Sequence, residues 1–164
     1  MASSLKNLSD TAKHPLPDLS NFKIGIVCAE WNEEVTSALE KGCRKTLEKA
    51  GLKKKNLLVL RVPGSFELPG GAKMLVENKK VDAVVCLGCV IRGETPHFDF
   101  ISEAVAHGIM ELNLRYHLPF IFGVLTTDTL QQALDRSGGA HGNKGVEAAV
   151  TAMRMLELRK SLVK

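Results

Sequence analysis

Residues 88–100, "GCVIRGETPHFDF", place reactive side chains directly after an apolar run. His97 is the best candidate for proton transfer, because an imidazole gains and loses protons near neutral pH. Arg92, Glu94 and Thr95 lie just before it. Backbone N–H groups at the start of a helix can hold an anion, and phosphate is a common one. The stretch therefore indicates a proton-transfer group beside an anion site.

Aromatic and acidic side chains follow two other apolar runs. Trp31 lies in the polar loop "AEWNEE", which favours a half-exposed platform that stacks on a planar ligand over a core position. Ser65, Phe66 and Glu67 follow the next run, and together they suit a small polar ligand. Glu67 has a second interpretation, since a carboxylate also stabilises a helix N-terminus through the macrodipole.

Two cations flank a glycine-rich segment near the end of the chain. Arg136 and Lys144 stand on either side of "SGGAHG", a setting that suits a phosphate or polyol. A basic residue at a helix end would explain each of them equally well. His141 lies inside the segment and is a weaker rival to His97.

The elements that must position these residues alternate regularly from Lys23 onward. The runs "KIGIVCA", "NLLVLRV", "DAVVCLG" and "PFIFGVLT" predict buried strands, and helical patterns follow each of them. Strands alternating with helices predict an α/β fold with a parallel sheet covered on both faces. Ligands bind beyond the carboxyl ends of such strands, so the reactive loops should meet at one edge.

Helix starts can be predicted from polar residues that cap free N–H groups. We expect Asn32, Ser65 and Asn143 to cap the first, second and last helices. Asp128 with Gln131 suggests a variant capping box before a short helix.

Composition limits the classes of function. The chain has 164 residues, which predicts one domain, over residues 22–160, preceded by a flexible arm at 1–21. The net charge is only +4 and aromatic residues make up 5%, which disfavours a nucleic-acid partner. The apolar runs are shorter than the roughly 18 residues of a membrane span, and no secretory signal is apparent. We therefore expect a cytoplasmic protein without a membrane partner.

The four cysteines, Cys28, Cys43, Cys86 and Cys89, lie in or near apolar segments, which is typical of reduced thiols. Cys86 and Cys89 form a C-x-x-C, but strand alternation should send them to opposite faces of the sheet. This disfavours thiol redox chemistry. A second C-x-x-C is absent from the sequence, so a zinc site is poorly supported.

Four long motifs then point to a known family. "VPGSFELP", "GCVIRGETPHFDFIS", "PFIFGVLTTDTLQQALDRSGG" and "HGNKGVEAA" resemble the lumazine synthases of riboflavin biosynthesis, over roughly residues 22–158. The resemblance implies a flavodoxin-like three-layer α/β/α sandwich with a four-stranded parallel sheet. It also implies condensation of 5-amino-6-(D-ribitylamino)uracil with 3,4-dihydroxy-2-butanone 4-phosphate. The products would be 6,7-dimethyl-8-ribityllumazine, phosphate and water, and neither a metal nor an organic cofactor is implied.

The resemblance also implies roles for individual residues. His97 matches the catalytic proton donor, and Trp31 stands where phenylalanine more often stacks on the pyrimidine. The substrate-binding positions are Trp31, Ser65, Phe66, Glu67, Cys89, Val90, Ile91, Phe122 and Lys144, and the phosphate-binding positions are Glu94, Thr95 and Arg136.

Assembly is implied by the resemblance as well. In the family, adjacent subunits share each site, with the equivalents of Phe122, Arg136 and Lys144 coming from the neighbour. We expect a homopentamer, with a 60-subunit icosahedral shell weakly favoured because residues 137–142 contain no insertion. An association with riboflavin synthase is a further expectation.

Three alternatives stay open at this point. A catalytically silent flavodoxin-like module could bind a flavin or another phosphorylated heterocycle with the same aromatic and phosphate loop. A shell-forming structural protein is a second alternative, and a C-x-x-C oxidoreductase is a distant third. The presence of both His97 and Arg136 favours an enzyme, because simple binding requires no proton transfer.

Overall fold

The computed structural model describes residues 17–162, and its centre is a four-stranded parallel sheet. The strands are β1 (Ile24–Ala29), β2 (Leu57–Val62), β3 (Ala83–Ile91) and β4 (Phe120–Thr127), in the order β2-β1-β3-β4. The helices are α1 (Glu33–Lys49), α2 (Leu68–Asn78), α3 (His97–Arg115), α4 (Leu130–Asp135) and α5 (Lys144–Leu162). Single 3₁₀ turns precede β2 and α2, at Lys54–Asn56 and Ser65–Glu67.

Helices cover both faces of the sheet. The alternating side chains of β1 divide between the two faces, with Ile24, Ile26 and Cys28 packed beneath α1 and α5. Val27 and Ala29 pack on the other face with α2 and α3. Both faces are apolar because each carries a helical layer. The predicted flavodoxin-like α/β/α sandwich is confirmed.

The strands do not end at the same level, and this difference positions the site. β1 pairs with β3 only as far as Cys28 and Leu87, whereas β3 continues beside β4 up to Ile91 and Thr127. The last residues of β3 therefore extend beyond the end of β1. On that side they have no strand partner, so a ligand can approach their backbone.

The glycine-rich segment forms a small hairpin that the sequence did not predict. β5 (Ser137–Gly139) and β6 (Gly142–Asn143) pair antiparallel just before α5. Asn143 caps α5 as predicted, since its Oδ1 accepts hydrogen bonds from the N–H groups of Gly145 and Val146 at 2.8 and 3.2 Å. Its amide nitrogen also donates to the carbonyls of Ser137 and Ala38. One side chain thus joins the hairpin, α1 and α5.

The predicted cap of α4 was wrong by one residue. Thr129 occupies the N-cap position, and its hydroxyl accepts a hydrogen bond from the backbone N–H of Gln132 at 3.2 Å. The Gln132 side chain in turn accepts from the N–H of Asp128 at 2.9 Å. The capping residues are therefore Thr129 and Gln132. Asp128 is left to form an ion pair described below.

The domain includes residues that precede the predicted boundary at residue 22. Leu19 is fully buried, and its N–H donates to the carbonyl of Ala50 at 2.8 Å. The rest of the predicted arm, residues 1–16, lies outside the described residues. Within residues 17–162, no helix is long and apolar enough to cross a membrane.

The contact between α1 and α5 gives the first prediction. A Cβ added at Gly145 would collide with the carbonyl group of Leu39, which is backbone of α1 and cannot move aside. Gly145→Ala should lower the free energy of unfolding by about 1–3 kcal/mol through overpacking. Urea denaturation at a fixed protein concentration measures this change.

Gly70→Ala is the matched control, because a Cβ at this exposed helical glycine meets no atom within 4 Å. It should raise the free energy of unfolding by roughly 0.5–1 kcal/mol, the cost of glycine in a helix. Equal effects of the two substitutions would contradict the close approach of α1 and α5.

Candidate active site

The loops after β1, β2 and β3 enclose a cleft of about 590 Å³ at the carboxyl edge of the sheet. It is called here the tryptophan cleft. The structure brings together in its walls most of the candidate residues, which are Trp31, Ser65, Phe66, Glu67, Cys89, Val90, Ile91 and His97. Asn32, Gly64 and Ile101 complete the walls.

Two side chains fasten the loops to the projecting end of β3. The carbonyl of Cys89 accepts hydrogen bonds from the Asn32 amide at 3.0 Å and the Ser65 hydroxyl at 3.4 Å. Asn32 occupies the N-cap position of α1 as predicted, but its side chain makes no cap hydrogen bond. The prediction for Ser65 was wrong, because Glu67 holds the N-cap position of α2. Asn32 adopts a left-handed conformation with φ 60°, which turns its side chain toward β3. The close approach also requires Gly88, where a Cβ would lie 2.6 Å from the Ser65 hydroxyl.

Trp31 stands at the mouth of the tryptophan cleft with 74% of its surface exposed. Its backbone N–H donates to the carbonyl of Pro63 at 3.0 Å, which fixes the loop while leaving the indole uncovered. A lone tryptophan more often fills a core, but this one does not. Its exposed ring faces suit stacking on a planar ligand.

Glu67 combines the two roles that the sequence left open. One carboxylate oxygen accepts a hydrogen bond from the backbone N–H of Gly64 at 3.0 Å, as expected of an acidic residue at a helix start. The same side chain lines the tryptophan cleft beside exposed Phe66. Glu67 can therefore contact a ligand in the cleft as well as stabilise the helix start.

His97 is the first residue of α3, is exposed, and lines the tryptophan cleft. Glu94 and Thr95 lie in the exposed loop that leads to it, outside the cleft wall. The imidazole thus lies between the cleft and the loop that the sequence indicates as an anion site.

Arg92, at the start of that loop, folds back over α3. Its Nε donates to Asp128 at 2.8 Å, and its two terminal nitrogens donate to Asp99 at 3.2 and 3.4 Å. The guanidinium also lies 4.1 Å from the ring centre of Phe98. The hydrogen bonds from Arg92 to Asp128 and then Asp99 raise the pKa of the guanidinium. Sequence reasoning noted Arg92 but could not identify these partners.

The remaining candidates line a second cleft of about 810 Å³, beside edge strand β4. It is called here the arginine cleft, and it contains Phe122, Arg136 and Lys144 together with His141. Phe122 is 38% exposed, an unusual exposure for an aromatic residue within a strand. The two clefts share no lining residue. The predicted residues therefore form two separate groups on one chain.

The two cations of the arginine cleft differ in their surroundings. Lys144 forms an ion pair with Glu147 at 3.1 Å, and Glu147 is buried. The side chain of Arg136 makes no hydrogen bond or ion pair within the described part of the chain. Arg136 is therefore available to an anionic ligand. Sequence reasoning missed Glu147, although its i,i+3 spacing from Lys144 was a usable signal.

Comparison with known proteins identifies the family. The family model described as 6,7-dimethyl-8-ribityllumazine synthase matches residues 21–160. The chain belongs to this family. A protein of that name from Parabacteroides distasonis is 58% identical over 156 residues, which cover 95% of this chain and 98% of the relative. Relatives of the same name from Cytophaga hutchinsonii and Phocaeicola vulgatus are 56% and 48% identical, over 95% and 100% of this chain and 98% of each relative.

The thiols of this lumazine synthase family member are poorly placed for redox chemistry. All four cysteines are buried, and Cys86 and Cys89 belong to opposite faces of the sheet as predicted. Burial raises the pKa of Cys86 to about 12 and that of Cys89 to about 11. Residues 17–162 also contain no group of three or more His, Cys, Asp or Glu side chains that could hold a metal ion.

These pKa values predict how thiol reactivity and stability depend on pH. At pH 7.5 the native thiols should react with a disulfide reagent at least about 100-fold more slowly than those of the urea-unfolded chain. Because burial raises the pKa in the folded state, the unfolded chain loses its thiol protons first. The contribution of the buried thiols to the free energy of unfolding is therefore fully present below about pH 9, and it falls as the pH rises further.

Stopped-flow thiol titration and urea denaturation between pH 7 and 10 measure the two effects. A native thiol that reacts as fast as the unfolded chain at pH 7.5 would contradict the burial and reopen the C-x-x-C hypothesis.

Proposed function

We propose that this chain condenses 5-amino-6-(D-ribitylamino)uracil with 3,4-dihydroxy-2-butanone 4-phosphate to 6,7-dimethyl-8-ribityllumazine, the penultimate step of riboflavin biosynthesis. The observation that carries the proposal is the convergence of Trp31, Glu67 and His97 on one cleft, in a member of the lumazine synthase family. A stacking surface, a hydrogen-bonding carboxylate and a proton-transfer group are the parts that this condensation needs.

The pyrimidine occupies the tryptophan cleft in this proposal. The Trp31 indole stacks on the ring, and the backbone of residues 89–91 offers hydrogen bonds on the side that β1 leaves without a partner. Ser65, Phe66 and Glu67 form the opposite wall and bind the ribityl chain. Cys89 suits this role because only its backbone is required, and a buried neutral thiol does not compete for the substrate.

The phosphate is held from two directions. The loop carrying Glu94 and Thr95 offers backbone N–H groups just before α3. Arg136 of an adjacent subunit supplies the cation, and it is available because it forms no ion pair within residues 17–162. Lys144 adds a second positive charge, fixed in place by Glu147.

The chemistry begins with attack of the pyrimidine 5-amino group on the ketone. The resulting carbinolamine loses water to give a Schiff base, which then eliminates phosphate. Attack of the ribitylamino nitrogen on the remaining carbonyl closes the ring and expels a second water. Holding both substrates together can supply up to about 7–11 kcal/mol of barrier reduction for ideal alignment. His97 moves protons between these steps, and the phosphate-binding groups stabilise the charge of the departing phosphate.

Neighbouring subunits complete each site in this proposal. The tryptophan and arginine clefts share no residue, so Phe122, Arg136 and Lys144 of one chain serve the tryptophan cleft of the next. Exposed apolar side chains on α3 and α5 support such association, and they include Phe100, Met110, Leu114, Leu158 and Leu162. A homopentamer is the proposed unit, with the 60-subunit shell as the larger assembly. A cytoplasmic location and an association with riboflavin synthase remain predictions.

The test is direct. The purified protein is mixed with both substrates, and formation of the fluorescent lumazine is followed against the uncatalysed reaction. Product formed faster than background supports the proposal. If folded, assembled protein binds the pyrimidine or a flavin but gives no acceleration, the chain is a binding module, and the proposed function fails.

His97→Ala should lower kcat by about 10²–10⁴-fold without abolishing turnover, because proximity still contributes when the proton-transfer group is lost. Steady-state kinetics measure this loss. His107→Ala is the matched control, since His107 is an exposed histidine on the same helix that lines neither cleft. Unchanged turnover in the His97 variant would remove the assigned role.

Subunit mixing tests whether the site is shared. His97→Ala and Arg136→Ala chains, each of low activity alone, are unfolded together in equal amounts and refolded. About a quarter of the sites should then combine an intact His97 with an intact Arg136 from the neighbour, by random pairing around a closed ring. Recovery of activity above that of either variant refolded alone supports sharing. No recovery in mixed assemblies verified by native mass spectrometry would place the whole site within one chain.

A further inference from the structure

The loop before His97 has almost no attachment of its own. Gly93, Glu94 and Thr95 make no hydrogen bonds to other described residues, and all three are exposed. A Cβ added at Gly93 would meet no atom within 4 Å, so the loop is not packed against the domain. Its geometry therefore depends on the residues at its two ends.

Arg92 fixes the first end of this loop to two other elements. Its backbone N–H donates to the carbonyl of Thr127 at the end of β4, at 2.8 Å. Its side chain bridges Asp128, which follows β4, and Asp99, which lies in the first turn of α3. One residue thus joins the end of β3, the loop after β4 and the start of α3.

Arg92 makes more contacts with its partners than an arginine in an ordinary surface ion pair does. A single exposed pair typically contributes little to stability because solvent and side-chain entropy oppose it. Here two nitrogens of one guanidinium contact both oxygens of Asp99, and a third nitrogen contacts Asp128. The Phe98 ring lies beneath the same guanidinium, which restricts it further. Paired donors and a stacking ring are features that give arginine a defined orientation.

Arg92 is poorly suited to bind the substrate phosphate itself. Three of its nitrogens already donate to carboxylates. Two carboxylates against one guanidinium give the group formed by Arg92, Asp99 and Asp128 a net negative charge, which would repel an anion. A direct role in phosphate binding is therefore disfavoured, and a mechanical role is left.

We propose that Arg92 is a positioning residue, which fixes loop 93–96 and the first turn of α3 so that the His97 imidazole stays in the wall of the tryptophan cleft. This inference rests on the proposed function for its catalytic consequence only. The attachment of the loop is a property of the chain itself, and it can be measured without turnover.

The first experiment measures the stability of the first turn of α3, where loop 93–96 ends. Hydrogen exchange followed by mass spectrometry compares wild type, Arg92→Ala and Arg92→Lys. The amides of Asp99 and Phe100 donate to the Pro96 carbonyl at 3.0 and 3.3 Å in the first turn of α3. They should exchange at least about 10-fold faster in Arg92→Ala, because opening of this turn no longer breaks the contacts to the two carboxylates. Arg92→Lys should lie between the two, since a lysine cannot contact both carboxylates with a planar fork. Unchanged exchange in Arg92→Ala would overturn the inference, whether or not the protein is active.

Arg115→Ala is the matched control for this experiment. Arg115 is an exposed arginine at the other end of α3, paired with Glu111 at 2.6 Å, and it lines neither cleft. Its removal should leave exchange of the Asp99 and Phe100 amides and the kinetic constants unchanged. Faster exchange in both variants would indicate general loosening of α3 and would also overturn the inference.

The second experiment is a double-mutant cycle of Arg92→Ala with His97→Ala. Arg92→Ala alone should lower kcat about 10- to 100-fold, the effect of misplacing a reacting group by roughly 1 Å. In the His97→Ala background the same substitution should lower kcat by less than about twofold, because the residue that it positions is gone. If Arg92 had a purely structural role, its removal would lower kcat by the same factor with and without His97. That additive result would overturn the inference.

The kinetic outcomes separate the inference from the proposed function. No acceleration by wild type defeats the proposed function, and hydrogen exchange then decides the inference alone. Wild-type acceleration with an additive cycle defeats the inference and leaves the proposed function intact. A raised KM for the butanone phosphate at constant kcat would show that Arg92 binds phosphate after all.

Discussion

The unequal ends of the parallel strands are the constraint on which the site depends. Parallel pairing brings the carboxyl ends of all four strands to one edge, and burial on both faces leaves that edge as the place where polar loops can collect. β3 continues four residues past its last pairing with β1, from Gly88 to Ile91. The tryptophan cleft occupies the space where β1 would otherwise continue. Asn32 and Ser65 then fasten the neighbouring loops to a carbonyl that β1 does not reach.

The three cations around the two clefts differ in the number of carboxylates with which they are paired. Arg92 is paired with two carboxylates, whose combined charge exceeds its own. Lys144 is held by one carboxylate, Glu147, whose burial makes the pairing harder to give up than an exposed one. Arg136 has no such partner within the described residues. On the proposed function, a phosphate bound between two subunits would therefore meet the available guanidinium of Arg136 and the oriented ammonium of Lys144, whereas Arg92 would hold the loop beside it.

The strands, the layers and the members of the tryptophan cleft could be predicted from sequence because each depends on local patterns. Runs of β-branched residues define the strands, and the parallel topology then places their loops together. The capping predictions show where such reasoning ends. Asn32 and Ser65 have the residue types of caps, but they bond to Cys89, 57 and 24 residues away. Only Asn143 both caps locally and bonds at long range.

The Arg92–Asp128 ion pair and the hairpin of residues 137–143 could not be predicted from the sequence. The partner Asp128 lies 36 residues from Arg92, and no periodicity connects them. The hairpin of residues 137–143 consists of small residues that predict only a break, and its geometry comes from Asn143 joining α1 and α5. A sequence pattern can thus identify which residues are available for a site. The tertiary contacts determine whether each one binds a ligand or fastens a loop.

The separation of the two clefts has a consequence for how activity and association are linked. One chain carries a stacking platform and an imidazole in one cleft, and Arg136, unpaired among residues 17–162, in another cleft that shares no wall with the first. On the proposed function, an isolated chain can bind the pyrimidine but cannot hold the phosphate of the second substrate with Arg136. Phe122 shows the same division, because an aromatic ring exposed on an edge strand is useful only to a surface that covers it. Residues that complete a neighbour's site then also lie in the interface, so a substitution there changes assembly and chemistry together.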